Sequence, residues 1–354
     1  LHHNVCHGID AQVLRNPTFA AYPFSTGKQT PDGVATFHWD RDEIARGIRH
    51  TARRDGWPES EGDGLVRAYL DGLACGWGRV GSSEHVLVSP DTAPYGQRAQ
   101  RVEVVQAGSG IAQWTYLPLH RTKAYEFDLY LRSRDIDRFT VAVDTGDPDA
   151  PHGAATISGV SSDWQLFRGR IEVPAATPVE APHRFILNAD SPGQFVIGHA
   201  FLRPSDHVGG ADADVVRLLR ESKLPLHRWP GGNFVSGYHW EDGVGPVVQR
   251  PTRPNYAWGR VEPNTFGTDE FIALCRAIGC EPMICVNAGD GTPAEAARWV
   301  QYCNGGTDTP MGRLRAQNGH PEPYGVRHWE VGNELWGHWQ VRWTTGTGYA
   351  DRFR

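Results

Sequence analysis

Two neighbouring side chains near the end of the chain could carry acid–base chemistry. Residues 326–331 are predicted to form a short buried strand that breaks at Gly332 and presents Asn333 and Glu334 at its tip. Catalytic residues of parallel α/β folds collect at the carboxyl ends of strands. A carboxyl group in a semi-apolar pocket can keep its proton near neutral pH, because burial disfavours the charged form. Glu334 is therefore a candidate general acid, although this segment alone would also fit a surface ion pair.

The residues that follow indicate a sugar as the bound molecule. Trp336, Trp339 and Trp343 come directly after the candidate acid, and tryptophan faces offer large apolar surfaces on which sugar rings can stack. Glu330 is the rival acid. It lies deeper in the same strand, where a glutamate more often pairs with an interior arginine or lysine, so we prefer Glu334.

Helices and apolar strands alternate in the C-terminal part of the chain. Helices are predicted over residues 212–222, 268–279 and 292–305, and strands over residues 225–229, 282–286 and 326–331. This alternation predicts a parallel sheet with right-handed crossovers, and a (β/α) barrel fits best. Polar residues follow successive strands and are expected to face one mouth of the barrel: Arg228, Asn233, Asn287, Asn333 and Glu334.

The middle of the chain has a period of two. Tyr125, Phe127 and Leu129 alternate with polar residues, and residues 139–143 and 195–201 show the same pattern. Such runs, separated by turn segments, predict an antiparallel β-sandwich between residues 61 and 205. Trp114 and Trp164 could bind sugar there, but single aromatic residues more often fill the core or an edge.

The α/β units are too few to close a barrel. Residues 349–354 look like the first turn of a helix, and a closed barrel needs eight strands. We therefore expect a fragment with a partial (β/α)8 TIM barrel and an inserted antiparallel β-sandwich. The predicted domains are residues 1–60 (N-terminal barrel part and linker, with residues 25–33 and 57–62 as loop), 61–205 (sandwich) and 206–354 (first half of the catalytic barrel).

Composition excludes several classes of partner. The 354 residues carry a net charge of −6 without a basic cluster, which argues against nucleic acid and anionic membranes. No apolar run reaches membrane-spanning length. The six cysteines include no C-x-x-C pair, so buried free thiols are expected, which favours the cytoplasm, with secretion as the alternative. His2, His3 and His7 lack the spacing of a metal site, and no metal or other cofactor is predicted.

Three motifs together resemble the α-L-arabinofuranosidases of glycoside hydrolase family 51. They are R-W-P-G-G-N at residues 228–233, W-E-V-G-N-E at residues 329–334 and G-I-D-A-Q-V-L-R-N-P-T-F at residues 8–19. The match runs from about residue 224 to residue 354. The sandwich resembles a carbohydrate-binding-like insertion that some members carry.

The resemblance implies a role for several residues. Glu334 would be the general acid/base, and Asn333 would bind the 2-hydroxyl group of the sugar. Arg228 would orient the nucleophile, Asn233 would contact a sugar hydroxyl group, and Trp258 would form a wall of the cleft. The nucleophilic glutamate would lie on a later strand beyond Arg354, and a substrate-binding glutamate would lie before Leu1.

The predicted function is that of a retaining, exo-acting α-L-arabinofuranosidase. Its substrate would be an arabinose-containing oligo- or polysaccharide such as arabinoxylan or arabinan, and the family suggests a homo-oligomer, often a hexamer. One alternative is a related retaining glycosidase, a β-xylosidase or an endoglucanase. Another is a carbohydrate-binding protein without catalytic activity.

Overall fold

The computed structural model describes residues 9–20, 25–147, 151–258 and 261–354. The predictions for His2, His3, His7 and Cys6 lie outside these residues. The chain forms two compact units. The first, which we call the α/β unit, comprises Leu1–Ala11, Pro23–His38 and Val208–Arg354, and the second, the β unit, comprises Gln12–Tyr22 and Trp39–His207.

Seven helices and seventeen strands lie within the described residues. The helices are α1 (Arg41–Arg54), α2 (Glu61–Leu70), α3 (Ala213–Glu221), α4 (Thr268–Ile278), α5 (Pro293–Asn304), α6 (Pro310–Gln317) and α7 (Gly346–Phe353). The strands are β1 (Ser25–Thr30), β2 (Gly33–His38), β3 (Gly78–Val80), β4 (Val86–Thr92), β5 (Arg98–Val104), β6 (Gly110–Thr115), β7 (Ala124–Ser133), β8 (Phe139–Asp144), β9 (Gly153–Ile157), β10 (Gln165–Glu172), β11 (His183–Ala189), β12 (Gly193–Pro204), β13 (Leu226–Trp229), β14 (Arg253–Pro254), β15 (Val261–Glu262), β16 (Glu281–Val286) and β17 (His328–Val331).

The β unit contains two antiparallel five-stranded sheets. Their strand orders are β10-β7-β12-β5-β4 and β3-β6-β11-β8-β9. Buried side chains of both sheets join one hydrophobic cluster, with Phe127 and Phe195 from the first sheet and Phe185 and Val141 from the second. The predicted alternation therefore buries one face of each sheet.

A β-bulge in β12 interrupts this alternation. The pairing of β12 with β7 shifts between Ile197 and His199. Ile197 and Ala200 are in the core cluster, whereas His199 stacks on Tyr130 with ring centroids 5.7 Å apart. Because of the extra residue, the side chains after the bulge point to the opposite face of the sheet from the one that strict alternation predicts. The alternation expected over residues 195–201 is therefore wrong beyond Ile197.

The α/β unit holds a parallel sheet with strand order β13-β16-β17. One face packs on helices: Trp229 stacks on Phe271 of α4 with ring centroids 5.4 Å apart and meets Trp299 of α5 edge-on at 6.0 Å. Residues of opposite parity, including Arg228, Cys285 and Glu330, therefore share the other face. The predicted α/β class is confirmed, while the TIM barrel and the sandwich remain predictions.

The start of helix α4 differs from the sequence expectation of a cap at Thr268, whereas the start of helix α5 agrees with it. Helix α4 is capped at Gly267, whose backbone N–H donates to Glu270 at 2.8 Å. The Thr268 hydroxyl group instead accepts a hydrogen bond of 3.0 Å from the Trp299 indole N–H, which ties α4 to α5. Helix α5 begins as expected, because the Thr292 hydroxyl group accepts from the Glu295 N–H at 3.1 Å.

The N-terminal third contains more regular structure than its composition indicates. Residues 25–33, expected to form a loop, instead contain β1 and the turn into β2, and the two strands pair antiparallel from Ser25 with His38 to Thr30 with Gly33. Helix α1 also lies in the region assigned to the barrel and linker, although it belongs to the β unit. It is a polar helix that buries only Ile48 and Ala52, so few apolar residues mark it in the sequence.

Residues 39–60 are held within the β unit by polar and aromatic contacts. Arg15 forms an ion pair of 2.5 Å with Asp55, and its guanidinium carbon lies 5.8 Å from the centre of the Trp57 ring. The division of the chain thus places residues 39–60 with the sheets rather than with residues 206–354. Such long-range contacts leave no periodic signal in the sequence.

Five cysteines in the described part of the chain are free: Cys75, Cys275, Cys280, Cys285 and Cys303. Free thiols are what the sequence predicted. Among the described residues no group of side chains could hold a metal ion. The same residues contain no helix with the length and apolarity needed to cross a membrane.

A buried carboxyl group should make the stability of the α/β unit depend on pH. Burial raises the pKa of Glu262 from 4.5 to about 8. The folded protein then holds a proton that the unfolded chain releases, so the free energy of unfolding should fall by about 1.4 kcal/mol per pH unit between about pH 4.5 and pH 8. Glu262→Gln should remove this pH dependence of the free energy of unfolding.

Melting temperatures measured from pH 5 to pH 8.5 test this expectation. The melting temperature of Glu262→Gln should rise relative to that of the wild-type protein as the pH rises, because an amide does not ionise. The amide can still accept the 2.9 Å hydrogen bond from the Asn264 N–H. Glu322→Gln, at an exposed position, is the matched control. Parallel curves for wild-type protein and Glu262→Gln would contradict the assignment.

Candidate functional site

The face of the parallel sheet away from the helices brings three polar side chains together. Arg228 stands on β13, Cys285 on the middle strand β16 and Glu330 on β17, where Cys285 and Glu330 are direct register partners. The Arg228 Nε–H donates to the Glu330 carboxylate in a charge-assisted hydrogen bond. Arg228 thus joins the two outer strands across the face of the central strand.

The same guanidinium group holds Asn333. Nη2 of Arg228 donates to Asn333 Oδ1 at 3.0 Å and also lies 3.6 Å from the Cys285 sulfur. Because guanidinium only donates hydrogen bonds, it selects the oxygen of the amide and turns the amide nitrogen away. Nδ2 of Asn333 is buried and has no hydrogen-bond partner in the structure. A buried donor without an acceptor costs free energy, and a ligand that accepts a hydrogen bond from Nδ2 would remove this cost.

Cys285 contributes a neutral thiol to this arrangement. Burial, followed by the nearby Glu330 carboxylate, raises the pKa of Cys285 to about 12. The thiol therefore stays protonated at neutral pH, and Sγ donates to the Gly332 carbonyl oxygen at 3.3 Å. Cys285 is packed as a small polar residue below the strand tip and is not an activated nucleophile.

The turn after β17 presents Glu334. Gly332 has φ 70°, and a Cβ atom there would lie 2.9 Å from Ala288 Cβ and from Leu335 Cδ1, so only glycine fits. Glu334 itself has φ 45°, an uncommon conformation for a residue with a side chain. Glu334 is exposed, and its carboxylate has no hydrogen bond or ion pair to any residue that the structure describes.

Aromatic rings accompany this turn, as the sequence predicted. Trp336 is 64% exposed, and Trp339, 44% exposed, meets it edge-on with ring centroids 5.0 Å apart. Trp343 is instead stacked on His338 at 4.2 Å. Trp336 and Trp339 thus offer apolar surface to solvent in the segment that begins at Glu334.

Asn233 lies after β13 in a short 3-10 helix, Gly232–Gly237. Its Oδ1 accepts a hydrogen bond of 2.8 Å from Nε2 of Gln340, and Oε1 of Gln340 accepts one of 2.7 Å from the Ser236 hydroxyl group. Gln340 is completely buried. This chain of bonds fixes the Asn233 amide through its oxygen and leaves its nitrogen available.

Trp258 lies over the turn that precedes Asn233. A Cβ atom on Gly232, which has φ 62°, would come within 3.4 Å of the Trp258 ring. The indole is 49% exposed, and the backbone N–H of Trp258 donates to Asn255 Oδ1 at 3.1 Å. The structure therefore brings the Trp258 ring close to the turn that carries Asn233, while its role as a cleft wall remains a prediction.

Asn287 differs from the other predicted binding residues. It is 7% exposed, and its Nδ2 donates to Asp290 Oδ1 at 2.8 Å and to the Tyr238 carbonyl oxygen at 3.2 Å. Its Oδ1 accepts from the Gly289 N–H at 2.9 Å. Both ends of the amide are used inside the protein, so Asn287 shapes the loop after β16, and the geometry does not favour a substrate contact.

A cavity of about 510 Å³ borders Asn233 within the α/β unit. Its lining includes residues 32–34 at the β1–β2 turn, residues 253–257, Asp290 and Arg342. His239 also lines it, and its hydrogen bond with Glu295, 3.0 Å long, raises the pKa of the imidazole. The volume is in the range of small-molecule sites.

Sequence patterns did not reveal every residue of this site. The expected pairing of Glu330 with an interior basic residue is present, and its partner is Arg228. No sequence pattern points to Gln340 or Cys285 as site residues. Gln340 lies in an irregular segment without periodicity, and the position of Cys285 between two charged neighbours depends on the register of three strands.

The C-terminal part of the chain matches a known family. Residues 218–354 match the family model described as the alpha-L-arabinofuranosidase 1 domain. Alpha-L-arabinofuranosidase C of Emericella nidulans is 51% identical over 149 residues, which are 42% of this chain and 30% of that protein. An intracellular exo-alpha-L-arabinofuranosidase of Bacteroides ovatus is 44% identical over 132 residues, 37% of this chain and 26% of that protein.

These matches confirm the resemblance to family 51 α-L-arabinofuranosidases over that part of the chain. All predicted site residues from Arg228 to Glu334 lie inside the matched segment. The matched stretch spans less than a third of the length of either relative. A solved structure of an arabinose-bound MgGH51 a-L-arabinofuranosidase, 19% identical, has a similar fold with a TM-score of 0.68, covering 94% of this chain and 52% of that one.

Proposed function

We propose that the protein to which this chain belongs is a retaining, exo-acting α-L-arabinofuranosidase that removes terminal non-reducing α-L-arabinofuranosyl residues from arabinosides such as arabinoxylan or arabinan. The observation that carries this proposal is the fixed Asn333 amide. Arg228 binds its oxygen, and its buried nitrogen has no partner among the residues that the structure describes, immediately before the exposed Glu334. The family match over residues 218–354 supports the same activity.

Glu334 would act as the general acid/base. Its carboxyl group protonates the departing glycosidic oxygen in the first step and, as carboxylate, activates water in the second. Asn333 Nδ2 would donate to the 2-hydroxyl group of the sugar, where hydrogen bonds strengthen in the transition state. The exposed Trp336 and Trp339 are suited to packing against the leaving group.

A retaining mechanism also needs an ionised carboxylate about 5–5.5 Å from the acid. By the family resemblance this nucleophile is a glutamate on another strand of the barrel. Arg228, which already binds Glu330, would favour the ionised form of such a carboxylate through its positive charge. Activity should therefore be measured on the product of the complete gene.

The same proposal covers the architecture and the location. Strands β13, β16 and β17 with their helices would form part of a (β/α)8 barrel, and the two antiparallel sheets would pack as a β-sandwich inserted into it. The five free cysteines in the described part of the chain support a reducing compartment, the cytoplasm. The Bacteroides ovatus relative is named as intracellular.

Hydrolysis of 4-nitrophenyl glycosides tests the proposed activity. The complete protein should hydrolyse the α-L-arabinofuranoside, with retained configuration of the first-formed product in an NMR time course. It should be much less active on the β-D-xylopyranoside and should not cleave carboxymethyl cellulose internally. An inverted product, or preference for either of the other two substrates, would overturn the assignment.

Replacement of Asn233 tests whether it contacts substrate. Asn233→Ala should lower kcat/KM by about tenfold to hundredfold, corresponding to about 1–3 kcal/mol, because the amide nitrogen would lose its bond to a sugar hydroxyl group. The melting temperature should change little, since Asn233 is half-buried and its side chain makes one hydrogen bond within the described part of the chain.

Asn233→Asp is the matched variant for the same position. An aspartate can still accept from Gln340 at the place of Oδ1, but it cannot donate to a sugar hydroxyl group. Its activity should therefore fall as far as that of the alanine variant. If both variants melted at lower temperature while kcat/KM of the folded fraction was unchanged, Asn233 would be a turn residue only.

A further inference from the structure

The β unit has a basic pocket on the sheet face away from its core. Register places Arg132 of β7 and Arg101 of β5 on either side of Val196 in β12, so the two arginines lie on one face of three adjacent strands. Arg134, just after β7, and Ser162 complete the rim of a cavity of about 170 Å³. This volume suits one small polar group or a single sugar residue.

The arginines of this pocket differ in whether they form an ion pair with a carboxylate. Arg101 forms an ion pair of 2.5 Å with Asp91 and donates to Gln194 at 3.0 Å. Arg132 lies with its guanidinium carbon 5.4 Å from the centre of the Trp164 ring, and its buried Nε has no hydrogen-bond partner. Arg132 and Arg134 have no carboxylate partner among the residues that the structure describes. Two uncompensated cations and one unsatisfied donor therefore border the cavity.

The pocket also contains one acidic side chain. Asp135 lines it and has no ion-pair partner in the described part of the chain. A carboxylate beside the cavity repels a dianion such as phosphate more strongly than a monoanion, and it can accept hydrogen bonds from hydroxyl groups. Guanidinium groups bind a carboxylate through parallel hydrogen bonds. The combination matches a ligand with one carboxylate and several hydroxyl groups.

We propose that the pocket lined by Arg101, Arg132, Arg134 and Asp135 binds the carboxylate of a uronic acid, as a free sugar or as a side group of an acidic polysaccharide. The arginines bind the carboxylate, and Asp135 accepts from a ring hydroxyl group. The Trp164 ring, which stacks on Tyr130 at 4.9 Å, packs against the Arg132 guanidinium group. This site lies in the β unit, and its test does not depend on hydrolytic activity.

Ligand-observed NMR titration of the full chain tests the site with two matched sugars. Methyl β-D-glucuronide should bind in the millimolar range, and methyl β-D-xyloside, which lacks only the carboxylate group, should bind at least about tenfold more weakly. Inorganic phosphate at equal concentration should not displace the glucuronide. Equal binding of the two sugars, or displacement by phosphate, would overturn the proposal.

Three charge-removing variants complete the experiment. Arg134→Gln and Arg132→Gln should each weaken glucuronide binding by about tenfold or more. Arg138→Gln removes the same charge from an exposed position outside the pocket and should leave binding unchanged. Arg132→Gln loses the contact with Trp164 and can lower stability. Arg134 is exposed, so Arg134→Gln should fold normally and keeps the test valid. Equal loss in Arg138→Gln would show general charge attraction and contradict the site.

Discussion

Replacement of Glu334 by alanine in the complete protein is expected to lower kcat/KM on arabino-oligosaccharides by about 10²- to 10⁴-fold, and to slow glycosylation by 4-nitrophenyl α-L-arabinofuranoside far less. A sugar alkoxide needs a proton to depart, whereas 4-nitrophenolate hardly does. On the activated substrate the second step should stall, because no base deprotonates water, and a covalent intermediate should accumulate. Steady-state kinetics on both substrates and mass spectrometry of the quenched protein measure these effects.

Azide distinguishes an acid/base from a nucleophile. Azide needs no general base, so it should restore turnover of Glu334→Ala and yield a glycosyl azide of retained configuration. The alkaline limb of the pH profile should also disappear, because it reports loss of the proton from the acid. Glu322→Ala, at another exposed glutamate, should behave as wild type. An inverted azide product, or equal slowing on both substrates, would direct attention to Glu330.

Local patterns predicted the elements that carry this chemistry. Strands β13, β16 and β17 are short and bounded by helix caps and glycines, so their existence and their succession along the chain could be predicted from sequence. Asn333 and Glu334 follow a strand, and position alone identified them. The hairpin of β1 and β2 could not be found in the same way, because its polar sequence has no alternating pattern.

The interior of the site depends on register, which the sequence does not specify. Arg228 and Glu330 are 102 positions apart, and only the pairing of both strands with β16 brings them together. The bulge between Ile197 and His199 is a similar case, since one extra residue changes the face of every side chain after it. Gln340 likewise acquires its role through contacts with Ser236 and Asn233 in the folded chain.

Replacement of Arg228 is expected to have the second large effect on activity, because Arg228 positions the Asn333 amide through a hydrogen bond. Arg228→Gln should lower kcat/KM by about 10²- to 10³-fold, the range found when one preorganised donor is removed from a catalytic site. The loss has two causes: the Asn333 amide is free to rotate, and the charge beside the proposed nucleophile is gone. Kinetics on 4-nitrophenyl α-L-arabinofuranoside and thermal unfolding should be measured together.

Two further variants separate geometry from charge. Arg228→Lys keeps the positive charge but cannot reach Glu330 and Asn333 with one rigid fork, so its activity should remain close to that of Arg228→Gln. Glu330→Gln keeps an acceptor for the Arg228 Nε–H and should lose less than tenfold. If Arg228→Lys retained most of the activity, charge alone would explain the contribution of Arg228, and the orientation of Asn333 would have to come from another contact.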